Sequence, residues 1–111
     1  MDWPKLPPSP YLTFRASDDV RIADTRVNLQ LLIEAFANGT SPEQFKLSYP
    51  TVSLEDVYGA IAYYLGNQEA VDRYVALCEL RDRAFEAEID SQPEPAIVKR
   101  LKALISAGRP A

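Results

Sequence analysis

Histidine is absent from the 111 residues, and with it go the commonest general base, the commonest metal ligand and every Ser-His or Cys-His arrangement. Cysteine is nearly absent: Cys78 alone permits no intrachain disulfide and no cysteine-based metal cage, and a reducing cytosol is the expected setting. No apolar segment is long enough to cross a bilayer, so no membrane association is expected. The amino-terminal MDWPKLPPSP has neither an apolar run nor a basic n-region, so a signal peptide is not expected and the cytoplasm is the expected location. The Ser, Thr and Lys residues have no base beside them and form no nucleophile elbow. No catalytic constellation, cofactor or metal site is therefore expected, and a binding module rather than an enzyme is the reading these absences leave.

What is present is enough apolar material for one packed core: 47% of the residues are hydrophobic, and the length suits one domain rather than two. The net charge of −4 is unevenly spread. Residues 1–52 hold five basic groups (Lys5, Arg15, Arg21, Arg26 and Lys46) against six acidic ones. Residues 53–92 hold three against nine, and residues 93–111 hold Lys99, Arg100, Lys102 and Arg109 against Glu94. Any contact with phosphate must then come from the two flanks, because the middle repels it.

Punctuation along the chain predicts a mainly α fold: an N-terminal β-hairpin plus a three-helix, helix-turn-helix-like bundle, with a longer fourth helix and a C-terminal helix. Residues 1–10, with Pro4, Pro7, Pro8 and Pro10, form an extended arm that Trp3 alone is placed to pin. Residues 11–90 form a single domain. Its hairpin, 11–23, places Leu12, Phe14, Val20 and Ile22 on alternate positions around Ala16-Ser17-Asp18-Asp19, with the even-numbered side chains toward the core. The tri-helical core spans 28–66. Leu29, Leu32, Ile33 and Phe36 recur at three-and-four spacing before the stop at Gly39. Ser41, Pro42 and Gln44 make a capping box for a short second helix that ends before Pro50. Ser53 caps a third, with Leu54, Val57, Ile61 and Leu65 as its buried stripe. The fourth helix, 68–90, carries Val71, Tyr74, Val75, Cys78, Phe85 and Ile89 on one side, and its polar second half is expected to project or to run along a partner. Residues 91–111 are a linker with Pro93 and Pro95, then a basic amphipathic helix bearing Ile97, Leu101, Leu104 and Ile105.

The segment RIADTRV, the helix ending in NG, and SPEQFKLSYPTVSLEDVYGAIAYYL together resemble the domain-of-unknown-function 433 family. Its members typically read R-I-x-G-T-R, a helix, G-x-S/T-x-E-E-I, Y-P-x-L and D-V-Y-A-A-I-A-Y-Y. Arg21-Ile22, Thr25-Arg26-Val27, Gly39, Ser41, Glu43, Tyr49-Pro50, Leu54, Asp56-Val57-Tyr58 and Ala62-Tyr63-Tyr64 fall on that pattern, and Asp24 stands where Gly is usual. A turn there that needs a positive φ would tolerate Asp better than most residues. The resemblance implies a three-helix, helix-turn-helix-like domain of bacterial type, often dimeric, and an antitoxin role in a toxin–antitoxin pair with a PIN-like ribonuclease toxin as partner; operator DNA is the target expected for the leading reading.

Each candidate residue carries two readings. Arg15, Arg21, Arg26 and Lys46, with Lys99, Arg100 and Lys102 on the tail, are the DNA-binding candidates. For Arg26 the plainer expectation is an ion pair with Asp24, Asp56 or Glu34. The third helix opens on Ser53, Glu55, Asp56 and Gly59, whose two acids face phosphates badly. Tyr63, Tyr64, Tyr74 and Phe85 are candidates for a partner or dimer interface, since aromatics at helical spacing are more often core or interface than a base-stacking platform. Homodimerisation is expected from the hairpin edge, one of Tyr63 and Tyr64, and the fourth-helix stripe. Glu79, Asp82, Glu86 and Asp90 read as a solvated face, and Cys78 as a small buried hydrophobe. Two functions remain: an antitoxin-like DNA-associated regulator, or a protein-interaction module without DNA binding.

Overall fold

A computed structural model describes residues 2–91 and 95–108. The element order is β1 (Leu12–Ala16), β2 (Asp19–Ile22), α1 (Leu29–Ala37), α2 (Pro42–Ser48), α3 (Leu54–Gly66), α4 (Gln68–Ser91) and α5 (Ala96–Gly108). The chain is mainly helical behind an antiparallel hairpin, as the spacing of its apolar residues dictates. The expected Pro-rich linker falls largely on residues 92–94, which lie outside the described residues.

In the hairpin Leu12 pairs with Ile22 and Phe14 with Val20, and an irregularity between Phe14 and Ala16 marks a bulge at Arg15. Leu12, Val20 and Ile22 are buried, whereas Phe14 is 40% exposed, so one of the four expected core positions lies at the rim. The chain leaves β2 through a turn that Thr25 organises: its hydroxyl donates to Ile22 O (2.6 Å) and accepts from the Val27 amide (3.1 Å). The positive φ in this turn belongs to Ala23 (48°), not to Asp24 where the family pattern has Gly.

The helix starts follow from local chemistry. The Asn28 side chain accepts from Gln30 N at the head of α1, Ser41 and Gln44 form a reciprocal box at the head of α2, and Ser53 accepts from Asp56 N at the head of α3. Gly39, at φ 85°, turns the chain after α1 in a conformation that a side chain would oppose.

The core joins the hairpin to all of α1–α3 and the first half of α4. Val57, Ala60, Ile61 and Tyr64 form the buried stripe of α3. That corrects the expected phase: Leu65 is 57% exposed and Leu54 is half-buried, while Tyr64 turns inward. The reason is the Tyr64 hydroxyl, which reaches Asp72 Oδ1 on α4 at 2.7 Å while the ring stays in the core, edge-on to Phe36 at 6.0 Å. On α4, Val71, Tyr74, Val75 and Cys78 are buried. The Tyr74 hydroxyl accepts from the Val20 amide (3.0 Å) and donates to Asn28 Oδ1 (2.9 Å), linking α4, β2 and the cap of α1 at one buried atom. The arm is held too: Trp3 packs on Tyr74 with ring centroids 5.8 Å apart, and the Tyr63 hydroxyl donates to Pro7 O (2.7 Å).

The chain divides into two compact units, Met1–Arg81 and Asp82–Ala111. The division falls inside α4, upstream of the expected boundary at residue 91. Its cause is in the sequence of α4: Arg81 is half-buried and donates to Asp18 O at 2.8 Å, and every α4 side chain described after it is exposed. Among the described residues no helix is long and apolar enough to cross a membrane.

Candidate functional site

The tri-helical segment presents three surfaces: the basic flank of the hairpin, the opening turn of α3, and the groove between α2 and α3. On the hairpin flank the four arginine and lysine candidates separate into two kinds. Arg21 is committed, its guanidinium bonded through Nε and Nη2 to the Asp19 carboxylate at 3.0 and 2.9 Å. That hydrogen bond is the main cause holding the Asp19 carboxyl below its ordinary range, with Arg15 and Arg81 adding smaller attraction. Lys46 is committed as well. Its ammonium donates to Pro50 O (3.3 Å) and Val52 O (3.0 Å), closing the connection between α2 and α3.

Arg15 and Arg26 are the other kind. Both are exposed, Arg15 on the bulge of β1 and Arg26 just before α1. Among the described residues Arg26 has no ion-pair partner, which corrects the expectation that it pins the hairpin to Asp24, Asp56 or Glu34. Asp24 is itself exposed, and the turn closes on Thr25 rather than on charge. Lys99, Arg100 and Lys102 are exposed on α5, in the second unit.

At the opening turn of α3, Glu55 is exposed and Asp56 half-buried. Gly59 is not the open position its place suggests: the Tyr11 ring, just before β1, occupies the space a β-carbon would fill. The family pattern has Ala at this place. Tyr58, 49% exposed, donates instead to the Glu43 carboxylate across the α2–α3 connection. This bond holds Glu43 below the usual carboxylate range and raises the Tyr58 phenol.

The groove between α2 and α3 is almost wholly apolar, a cavity of about 270 Å³ lined by Glu43, Lys46, Leu47, Pro50 and Leu54. Leu47 stands at its edge 81% exposed, a position the sequence reading passed over. The signal was available: in PEQFKLS, Phe45 must face inward, which turns Leu47 outward. A second cavity, about 490 Å³, lies where the arm residues Pro4 and Lys5 meet the start of α4 near Gln68 and Arg73.

Of the aromatic interface candidates, Tyr74 and Tyr64 are corrected by burial. Tyr74 is wholly enclosed and Tyr64 nearly so, because their hydroxyls find partners inside the fold. Tyr63 is half-buried beneath the arm. Phe85 remains on the surface, 62% exposed. Among the described residues no cluster of carboxylates and thiols could hold a metal ion.

The hairpin's second strand, the Thr25 turn and the three capped helices are the region matched by a family model described as Protein of unknown function (DUF433), over residues 17–64. Over residues 17–64 the chain matches the DUF433 family. No curated protein and no solved structure matches the chain. The DUF433 match ends at Tyr64, so the arm, α4 and α5 lie beyond it, although Tyr74 ties α4 into the same core.

Proposed function

We propose that this protein is an antitoxin-like, DNA-associated regulator of the cytoplasm. It is a homodimer without catalytic activity that holds a PIN-like ribonuclease toxin on one surface and its operator DNA on another. The observation that carries the DNA half of this reading is Arg26, exposed and, among the described residues, without an ion-pair partner at the head of the tri-helical segment, with Arg15 exposed on the adjoining hairpin. A guanidinium left open in this way is suited to a bidentate phosphate contact. The toxin half rests on the family resemblance.

A salt titration of binding to a fragment of the protein's own promoter tests it. Each lost phosphate contact lowers the slope of log K against log salt by about one unit. Replacing Arg15 and Arg26 together should therefore flatten the slope by about two units. Neutralising Glu55 and Asp56 should tighten non-specific binding by removing repulsion.

A second reading, an interaction module without DNA affinity, is favoured by one specific observation: Leu47, 81% exposed beside an apolar cavity. Absence of binding at low salt, by both the parent and the Glu55→Gln/Asp56→Asn variant, would leave this second reading standing.

A further inference from the structure

We infer that the second half of α4 and α5 carry a self-association surface: Phe85 and Ile89 of α4, with Ile97, Leu101, Leu104 and Ile105 of α5, are covered by the same side chains of a second copy of this chain. The inference rests on the dimeric part of the reading above and supplies its surface.

Three observations carry it. The first is exposure. Phe85 is 62% exposed, Ile89 51%, Ile97 68%, Leu101 54%, Leu104 66% and Ile105 58%. Six large apolar side chains, each more than half open within one short unit, exceed the scattered single exposures normal for a surface. Their area is on the order of several hundred Å², comparable with the roughly 800 Å² per partner of a standard interface.

The second is the helix itself. The 13 residues of α5 lie at the length where an isolated helix is marginal in water. Ile97, Leu101, Leu104 and Ile105 follow the spacing i, i+4, i+7, i+8, which makes a stripe for packing against another helix. A helix so short and so striped needs its apolar side covered.

The third is charge, and it selects the occupant. Residues 82–111 hold five acidic groups and five basic ones, a balance of zero, so the whole −4 of the chain lies in residues 1–81. Within the neutral segment the signs are separated. Asp82, Glu86, Glu88 and Asp90 outnumber Arg83 in the sequence of α4, while the sequence of α5 holds Lys99, Arg100 and Lys102 and no Asp or Glu. Under two-fold symmetry the acidic helix of each copy can meet the basic helix of the other, so the pair is self-complementary. A polyanion would gain from α5 and be repelled by α4. A second copy meets attraction on both helices and no net repulsion.

Light scattering on the full chain, without DNA, tests the inference separately from operator binding. The parent at tens of micromolar should give about twice the monomer mass of 12.4 kDa, and Leu101→Asp/Leu104→Asp should give the monomer mass with the Trp3 fluorescence unchanged. An acidic variant (Lys99→Glu/Arg100→Glu/Lys102→Glu) and a basic one (Asp82→Lys/Glu86→Lys/Glu88→Lys) should each be monomeric at low salt. Mixed in equal amounts, they should recover the doubled mass. A monomeric parent, a double Asp variant that remains dimeric, or a mixture that stays monomeric overturns the inference.

Discussion

The ring of Tyr11 lies against the backbone of Gly59, in the space that a side chain at that position would need. The residue just after the arm and the middle of α3 are therefore matched to each other, and Gly in a helix interior, which costs about 0.5–1 kcal/mol relative to Ala, is kept by that contact. Gly59→Ala should destabilise the protein by about 1–3 kcal/mol, the range for overpacking. In a Tyr11→Ala background the same change should be neutral or stabilising, because only the helix preference remains. Urea melts of the four combinations give the coupling. An equal cost for Gly59→Ala in both backgrounds would show that the contact does not hold.

Tyr74 and Val20 lead to a prediction about alkaline pH. The buried hydroxyl accepts from Val20 N and donates to Asn28 Oδ1, and burial raises the phenol well above its ordinary range. A pKa raised by folding stabilises the native state fully below the unfolded phenol's value, roughly pH 10, and less as pH climbs above it. Tyr74→Phe leaves the Val20 amide without this acceptor, at a cost of about 1–3 kcal/mol near neutral pH. The variant should also show a weaker loss of stability between pH 10 and 11.5 than the parent. Parallel pH slopes in thermal melts would count against the role given to this hydroxyl.

At the acid end the sign is opposite and the residue is Asp19. The hydrogen bond from Arg21 holds its carboxyl below the ordinary range, so the stabilisation is present at neutral pH and is lost as pH falls through about 4 and below. The pair is partly exposed and screened by solvent, so its worth is correspondingly small. Asp19→Asn should remove that part of the acid dependence, measurable as convergence of parent and variant melting temperatures toward pH 2.5.

What the sequence made legible was whatever depends on neighbours along the chain. Ser41, Pro42 and Gln44 define the start of α2 because a capping box needs three residues and no tertiary partner. The phase of α3 was harder. Leu54, Val57, Ile61 and Leu65 make as good a stripe as Val57, Ala60, Ile61 and Tyr64, and the choice depends on Asp72, eight residues away on α4, offering the Tyr64 hydroxyl a partner. The prolines of the arm excluded a helix but could not say what the arm lies on. Arg26 resembled a structural ion pair because acids stand near it in sequence, whereas the turn is closed by the Thr25 hydroxyl.

The revised phase of α3 is itself testable. Ile61→Ala, at a buried position, should cost about 2–4 kcal/mol, while Leu65→Ala, 57% exposed, should cost less than about 1 kcal/mol. Leu54, half-buried at the α2–α3 cavity, should fall between them. If Leu65→Ala proved as costly as Ile61→Ala in urea melts, the stripe first expected would be the better description.

The last prediction separates two cations that charge alone would treat as equivalent. Lys46 spends its ammonium on Pro50 O and Val52 O, so Lys46→Met, which keeps most of the stem and removes the donor, opens the α2–α3 connection. Hydrogen bonds from a charged donor are worth roughly 1.5–3 kcal/mol, and partial exposure places this clamp near or below the lower end. Arg26 has no such task, and Arg26→Ala should change stability by less than about 0.5 kcal/mol. In a promoter-binding titration the order should reverse. Arg26→Ala should lower the salt slope by about one unit, whereas Lys46→Met should leave it unchanged once the fraction folded is accounted for. Stability and salt dependence thus assign the two residues to different tasks, one closing the connection and one facing phosphate. A Lys46→Met protein that melts like the parent and loses slope would exchange those assignments.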